Sequence, residues 1–283
     1  MKVVEKIDDV RKAVKEARAK GKIIGFVPTM GFLHYGHLSL IKKSVSECGF
    51  TTVSIFVNPT QFDNPDDYNR YPRDIKKDME LLKSEGVDIV FVPSIEEMYG
   101  EKAMTFVEVK GLSDVLEGKF RPGHFKGVCT VVCKLFNIIQ PDRAYFGWKD
   151  AQQLVIIKKM VKDLNIPVDV IGCPTIREKD GLAASSRNIF IKEEDREKAL
   201  SLYKALKKIE DMVLKEGIKE TSILIEAGKN IVQKYPDVEL QYIKIVEVTE
   251  FMPVKEINGK VIVLGAIKLP YVRLIDNIII DAL

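Results

Sequence analysis

KIIGFVPTMGFLHYGHLSLIKKSVSEC, residues 22–48, is the stretch whose reading decides the fold. Its opening, KIIGFVPTMG (22–31), is a short apolar run ending in Pro, Thr and Gly, which suits a strand buried on both faces of a parallel sheet. HLSLIKKSVSEC (37–48) then takes up the helical period, with apolar residues at three- and four-residue intervals. Working outward, TTVSIFVNP (51–59) is another strand with a proline stop, DIKKDMELLKSEG (74–86) a helix ending in Gly, and VDIVFVPS (87–94) a third strand. Upstream, residues 5–20 form an amphipathic helix. Downstream, 124–141 is a helix, DRAYFG (142–147) a strand, 150–164 a helix and PVDVIGCPTI (167–176) a strand. Strands alternating with helices at this spacing imply βαβ units, so the expected fold is α/β: a parallel sheet with helices on both faces. Ligands in such folds gather at the carboxyl ends of the strands, here Pro28, Asn58–Pro59, Pro93, Gly147 and Thr175–Ile176.

Past about residue 185 the pattern changes. Residues 193–217 and 221–235 are strongly periodic helices, and 238–248, 260–270 and 272–280 read as strands. The chain therefore divides into a larger domain, 1–180, and a smaller C-terminal α+β domain, 181–283, with the boundary expected between 175 and 190. The 283 residues carry 44 basic and 41 acidic side chains, a net charge of +3 that argues against general polyanion binding. The longest apolar runs fall far below the roughly 18 residues that span a bilayer. The N-terminal segment is charged throughout and lacks the apolar region of a secretory signal. Four cysteines without a Cys-x-x-Cys pair read as small buried residues of a protein in a reducing, cytoplasmic compartment.

Chemistry concentrates at the strand ends. His34 and His37, two of only three histidines, lie just after the first buried strand at the start of a helix, with Gly31 and Gly36 around them. A helix N-terminus offers N–H groups and partial positive charge, so it favours phosphate, and two imidazoles there can donate to phosphate oxygens as charge develops. Zinc fits poorly, because metal-binding helices space their histidines by four and no third ligand is near. Arg177-Glu-Lys-Asp-Gly-Leu-Ala-Ala-Ser185-Ser186-Arg187-Asn188 follows the last parallel strand and suits the wrapping of a polyphosphate. Gly147-Trp148-Lys149-Asp150 opens a helix, with Lys149 able to reach phosphate and Asp150 placed as an N-cap. Asn58 and Gln61 follow a strand, where amides can bind hydroxyl or carboxylate groups. His124, in Arg121-Pro-Gly-His124, is read as structural or peripheral.

His34-Tyr-Gly-His37 resembles the HIGH signature of Rossmann-like nucleotidyltransferases, and Ala184-Ser-Ser-Arg-Asn stands where their KMSKS-type signature stands. Within that superfamily PTMGFLHYGHLSL, SIFVNPTQF, YPR, RPGHFKGV, FGWKDAQQL and REKDGLAASSRN, in order over residues 28–190, resemble the pantoate–β-alanine ligase family. The resemblance implies a Rossmann-like sheet with a C-terminal domain closing over the active site, and a homodimer. It implies two-step, ATP-dependent amide formation: pantoate attacks the α-phosphate of Mg²⁺-bound ATP, and the amine of β-alanine then attacks the pantoyl adenylate. On the matching positions, His37, His34 and Lys149 are the catalytic residues. Met30, Gly31, Phe32, Leu33, His34, Tyr35, Gly36 and His37 line the ATP site, with Gly147, Trp148, Lys149, Asp150, Ile176, Ala184, Ser185, Ser186 and Arg187. Gln61 and Gln153 hold pantoate, Gln61 also near β-alanine, while Asn58, Tyr71 and Arg121 belong to the site wall or a closing loop. Mg²⁺ is held by phosphates and waters, with no protein metal ligands assigned. Two positions depart from the family pattern: Trp148 replaces an acidic residue, and Ala184 a bulkier apolar one.

The competing readings are another HIGH-motif nucleotidyltransferase, of cytidylyl or adenylyl type, and an RNA-binding relative of the same superfamily. The balanced charge speaks against the second. No Gly-x-Gly-x-x-Gly follows the first strand, which speaks against a nicotinamide-dependent oxidoreductase.

Overall fold

A computed structural model of the protein describes residues 1–282. Its elements in chain order are β1 (Lys2–Val4), α1 (Ile7–Ala19), β2 (Ile24–Thr29), α2 (Tyr35–Glu47), β3 (Phe50–Ile55), α3 (Pro65–Arg70), α4 (Ile75–Ser84), β4 (Ile89–Phe91), α5 (Ile95–Tyr99), α6 (Glu117–Phe120), α7 (His124–Ile139), β5 (Arg143–Gly147), α8 (Ala151–Asp163), β6 (Asp169–Cys173), α9 (Arg196–Leu214), α10 (Thr221–Val232), β7 (Glu239–Glu247), β8 (Gly259–Leu269) and β9 (Val272–Ala282).

Two compact units emerge, residues 1–147 with 152–174, and 148–151 with 175–283. The chain passes from the first unit to the second at Pro174/Thr175, and residues 148–151 go with the C-terminal segment. The cause is local: Ile176 and Arg177 bond within the second unit, and the 148–149 carbonyls are taken by Asn277.

In the first unit six parallel strands are ordered β1-β4-β3-β2-β5-β6. The direction of winding reverses between β2 and β5, the kind of switch point at which doubly wound sheets bind ligands. Ile24, Phe26 and Val27 of β2 are all wholly buried, because helices cover both faces and leave no side to face water. Phe26 packs edge-on against Phe136 of α7, while Val27 joins a cluster with Leu38 and Ile41 of α2, so the strand's alternation sends successive residues to opposite layers. Pro28 has no N–H to give, and the β2–β5 ladder ends at Phe26. The three-residue edge strand β1, pairing with β4, had no periodicity to announce it, and the short helices α3, α5 and α6 were likewise unannounced.

In the second unit α9 and α10 pack on the antiparallel sheet β7-β8-β9 through Leu202, Leu206, Ile209, Leu224, Ile243 and Val263. All four cysteines are free, and burial pushes the Cys129 thiol up to about 12, so it stays protonated. Among the described residues no helix is long and apolar enough to cross a membrane.

Candidate functional site

The loop that leaves β2 is shaped before it reaches its histidines. Gly31 has φ +79° and Phe32 φ 51°, and a Cβ on Gly31 would lie 2.9 Å from both Asp78 Oδ2 and Ile55 Cγ2. Glycine is therefore required here by backbone conformation and packing, a reason distinct from nucleotide approach. Asp78 of α4, 2 % exposed, accepts the N–H groups of Phe32 (2.8 Å) and Leu33 (2.7 Å). Burial pushes its carboxyl up, against the pull of those two donors. Sequence reading missed Asp78, though a signal existed: it falls on the same helical face as Ile75 and Leu82, a polar residue in an apolar stripe.

His34 is the N-cap of α2 and not a member of its first turn. Its Nδ1 accepts the N–H of Gly36 at 3.1 Å, and His37 Nδ1 accepts the N–H of His34 at 3.4 Å. The two histidines thus cap the helix reciprocally, in the manner of a capping box. A ring whose Nδ1 accepts carries its neutral-state proton on Nε2, so both imidazoles present Nε2–H as a donor. The rings lie 4.0 Å apart at a 40° tilt. Tyr35 between them is 78 % exposed.

Gln61 lies in a 3₁₀ turn after β3, its Nε2 donating to Met30 Sδ at 3.3 Å. The structure thereby joins two expected site residues, Met30 and Gln61. Asn58 behaves differently from the expected ligand-binding amide. Its Nδ2 donates to Gln61 Oε1 and Gly127 O, and its Oδ1 accepts from Thr60 and from Tyr99 OH (2.7 Å). With 1 % exposure and its polar atoms engaged, it holds Gln61 in place. His124 Nδ1 donates to Gln61 O at 2.7 Å and its Nε2 accepts from Arg121 Nη1 at 3.2 Å, so His124 and Arg121 brace the same turn. Tyr71 is buried against Phe62. Gln153, in the first turn of α8, is half-buried, and its amide makes no hydrogen bond among the described residues. Its neighbour Gln152 is structural, clamping the 112–117 segment through Leu112 O, Val115 O and Glu117 N.

Gly147 ends β5 in the first unit, and the second unit holds the remaining expected residues from Trp148 onward. Trp148–Asp150 forms a 3₁₀ turn in which Lys149 Nζ lies 3.4 Å from Asp150 Oδ1. Ala184 N donates to Ile176 O at 2.9 Å, closing the 177–183 loop at its base. Ser185 caps the next 3₁₀ turn by accepting Arg187 N, and Ser186 is buried. Sequence reading missed Asp276 and Asn277, although a polar pair inside the apolar run RLIDNIII was itself a signal. Arg177 grips Asp276 with both terminal nitrogens at 2.7 and 2.9 Å.

The pantoate–β-alanine ligase family pattern matches residues 2–279. The chain belongs to the pantoate–β-alanine ligase family. It is 50% identical over 281 residues to the pantothenate synthetase of Caldicellulosiruptor saccharolyticus, covering 99% of this chain and all of the relative, and 51% identical over 280 residues to that of Thermosipho africanus, at the same coverage. The solved pantothenate synthetase of Thermus thermophilus superposes with a TM-score of 0.93 at 43% identity, covering 98% of this chain and 99% of that one. The Francisella tularensis pantoate–β-alanine ligase, solved with β-γ ATP and β-alanine, gives a TM-score of 0.80 at 39% identity over 98% and 97% of the two chains. The activity of this chain is that of a pantoate–β-alanine ligase, with ATP as a substrate. A cytidylyl- or adenylyltransferase of the wider superfamily is not favoured.

Proposed function

We propose that the ligase reaction runs in this chain on the residues singled out from its motifs, and that the first step depends on the His34–His37 pair. A pantoate carboxylate oxygen bonds to the α-phosphorus of ATP, and the bond to the bridging oxygen breaks to free pyrophosphate. Charge grows on phosphate oxygens in that step, and donors already aimed there need no reorganisation. The observation that carries the reading is the reciprocal cap: with each Nδ1 occupied by a backbone N–H, each ring offers Nε2–H at a helix start whose dipole also favours anions. His37 is the principal donor, His34 and Lys149 assist it, and Ser185, Ser186 and Arg187 bind phosphates. Met30, Gly31, Phe32, Leu33, Tyr35, Gly36, Gly147, Trp148, Asp150, Ile176 and Ala184 line the nucleotide.

Gln61 and Gln153 hold pantoate, the first presented by the Asn58 and His124 bracing. In the second step the β-alanine amine bonds to the acyl carbon, AMP leaves, and the amine sheds a proton. Mg²⁺ arrives with ATP as the counterion of its phosphates. Family likeness also supports a homodimer, and the four free thiols of a biosynthetic enzyme fit a cytoplasmic setting. The deciding experiment measures AMP release from ATP with pantoate and β-alanine, each omitted in turn. AMP should require both acids, whereas pyrophosphate release should require pantoate alone. AMP formation indifferent to pantoate would overturn the reading.

A further inference from the structure

β9 is an apolar strand interrupted by two buried polar neighbours, Asp276 and Asn277, at 6 % and 5 % exposure. Apolar side chains would fill such a place at lower cost, because a buried carboxylate is stable only when paired and hydrogen-bonded. The Asp276 carboxylate is fully provided for. Arg177 holds it bidentately, and Asp276 Oδ1 also accepts the N–H of Asn277 at 2.7 Å. The same guanidinium donates to Gly181 O (2.9 Å) and Asn277 O (3.0 Å) and lies 4.6 Å from the centre of the Tyr203 ring. Gly181, with φ +102°, sits so close to that ring that a Cβ would come 2.0 Å from Tyr203 Cε1. Arg177 thus ties the 177–183 loop to β9 at a fixed point.

Asn277 extends the tie to the other phosphate-binding segment. Its Nδ2 donates to Trp148 O at 2.8 Å and to Lys149 O at 3.0 Å. Both partners are carbonyls, so only an amide nitrogen satisfies them, and both amide hydrogens are consumed. The carbonyls flank the Lys149 Cα, and holding the peptide planes on its two sides sets the direction in which its side chain departs. We propose that Asn277, its backbone fixed by the Arg177–Asp276 grip, is the positioning residue that aims Lys149 for adenylation. The proposal rests on the reading above that Lys149 assists at the ATP phosphates. It assigns Asn277 no contact with substrate: its effect passes through the Lys149 turn.

A double-mutant cycle on the full-length protein tests this, reading pantoyl adenylate formation in single turnover and, separately, the reaction of preformed adenylate with β-alanine. Asn277→Ala should slow adenylation at saturating ATP by about 10- to 100-fold, the scale on which small misplacements of a working group act. The β-alanine step should change far less, and the ATP KM less than kcat. In a Lys149→Ala background the same substitution should cost under about threefold more, because the group it aims is already gone. Asn277→Asp, equal in size but with oxygens facing two carbonyls, should be at least as damaging, and Asn277→Ser carries the cycle if the alanine variant does not fold. Equal losses with and without Lys149 would overturn the proposal, as would a lowered melting temperature with a normal adenylation rate well below it. Normal adenylation by Lys149→Ala would overturn both the Lys149 assignment and the proposal. A wild-type protein whose AMP release ignores pantoate would instead refute the functional reading itself.

Discussion

The imidazole of His37 is held by a backbone N–H on one nitrogen and offers a proton on the other. Such a donor accelerates the chemical step only as far as it binds the transition state better than bound ATP. His37→Ala should lower the rate of pantoyl adenylate formation by roughly 10²–10³, the usual cost of one preorganised donor, and change ATP affinity far less. Single-turnover kinetics of the two half-reactions check this, and near-normal adenylation would remove His37 from the mechanism. Gln153 differs in kind, since its half-buried amide has no hydrogen-bond partner among the described residues. Removing an amide that meets pantoate leaves ligand groups unpaired, at about 1–3 kcal/mol. Gln153→Ala should therefore raise the pantoate KM roughly 5- to 150-fold by that energy, with the ATP KM little moved. An unmoved pantoate KM would place Gln153 outside the site.

Elements act by presenting such residues. The loop between β2 and α2 runs through positive φ at Gly31 and Phe32, and the Asp78 carboxylate of α4 accepts two consecutive N–H groups there. Without it, two loop donors lose their acceptor, each costing on the order of 1–3 kcal/mol if water cannot replace it. Asp78→Ala should lower the melting temperature by several degrees and, in the folded fraction at low temperature, also lower kcat, because the loop delivers His34. Calorimetry paired with initial rates distinguishes this from a purely structural loss, in which the rate per folded molecule would stay at the wild-type level. The turn bearing Gln61 is built on the same plan from different parts, with Asn58, Arg121 and His124 supplying the hydrogen bonds.

Across the whole molecule the carboxylates set the acid limit of stability. The Arg196 hydrogen bond holds Asp180 below the usual carboxylate range, and hydrogen bonds from Tyr271 and Lys198 do the same for Asp195. Glu47 is lowered by Lys43 and Tyr145, and Asp211 by Lys215. A carboxyl whose folded-state pKa is depressed favours folding above its unfolded value, near 4, and that contribution fades as pH falls through the folded value. Melting temperature should accordingly hold near neutrality and decline below about pH 4 to 5. Asp180→Asn should show a shallower acid limb, and an identical limb would exclude this pair as a source. These groups are partly exposed, so salt should reduce the difference between the two proteins.

Apolar patterning over 22–48, and its repetition along the chain, was enough to establish a parallel α/β sheet and a following α+β segment, because burial on both faces of a strand leaves a continuous apolar run and burial on one face leaves a period. The HIGH-like pair and the ordered motifs were enough to point to the pantoate–β-alanine ligase family, whose pattern runs through nearly the whole chain. Tertiary structure alone decided what holds the motifs in place. Asp78 lies in a different helix from the loop it anchors, and Asn58 engages Gly127 far along the chain. Asn277 lies more than a hundred residues from the carbonyls it grips, and the same tie draws residues 148–151 into the C-terminal unit. Hydrogen bonds between segments remote in sequence leave no period and no spacing. They are set by which backbone donors and acceptors remain unpaired once the chain has packed, and a buried polar group must find its partner there or destabilise the fold.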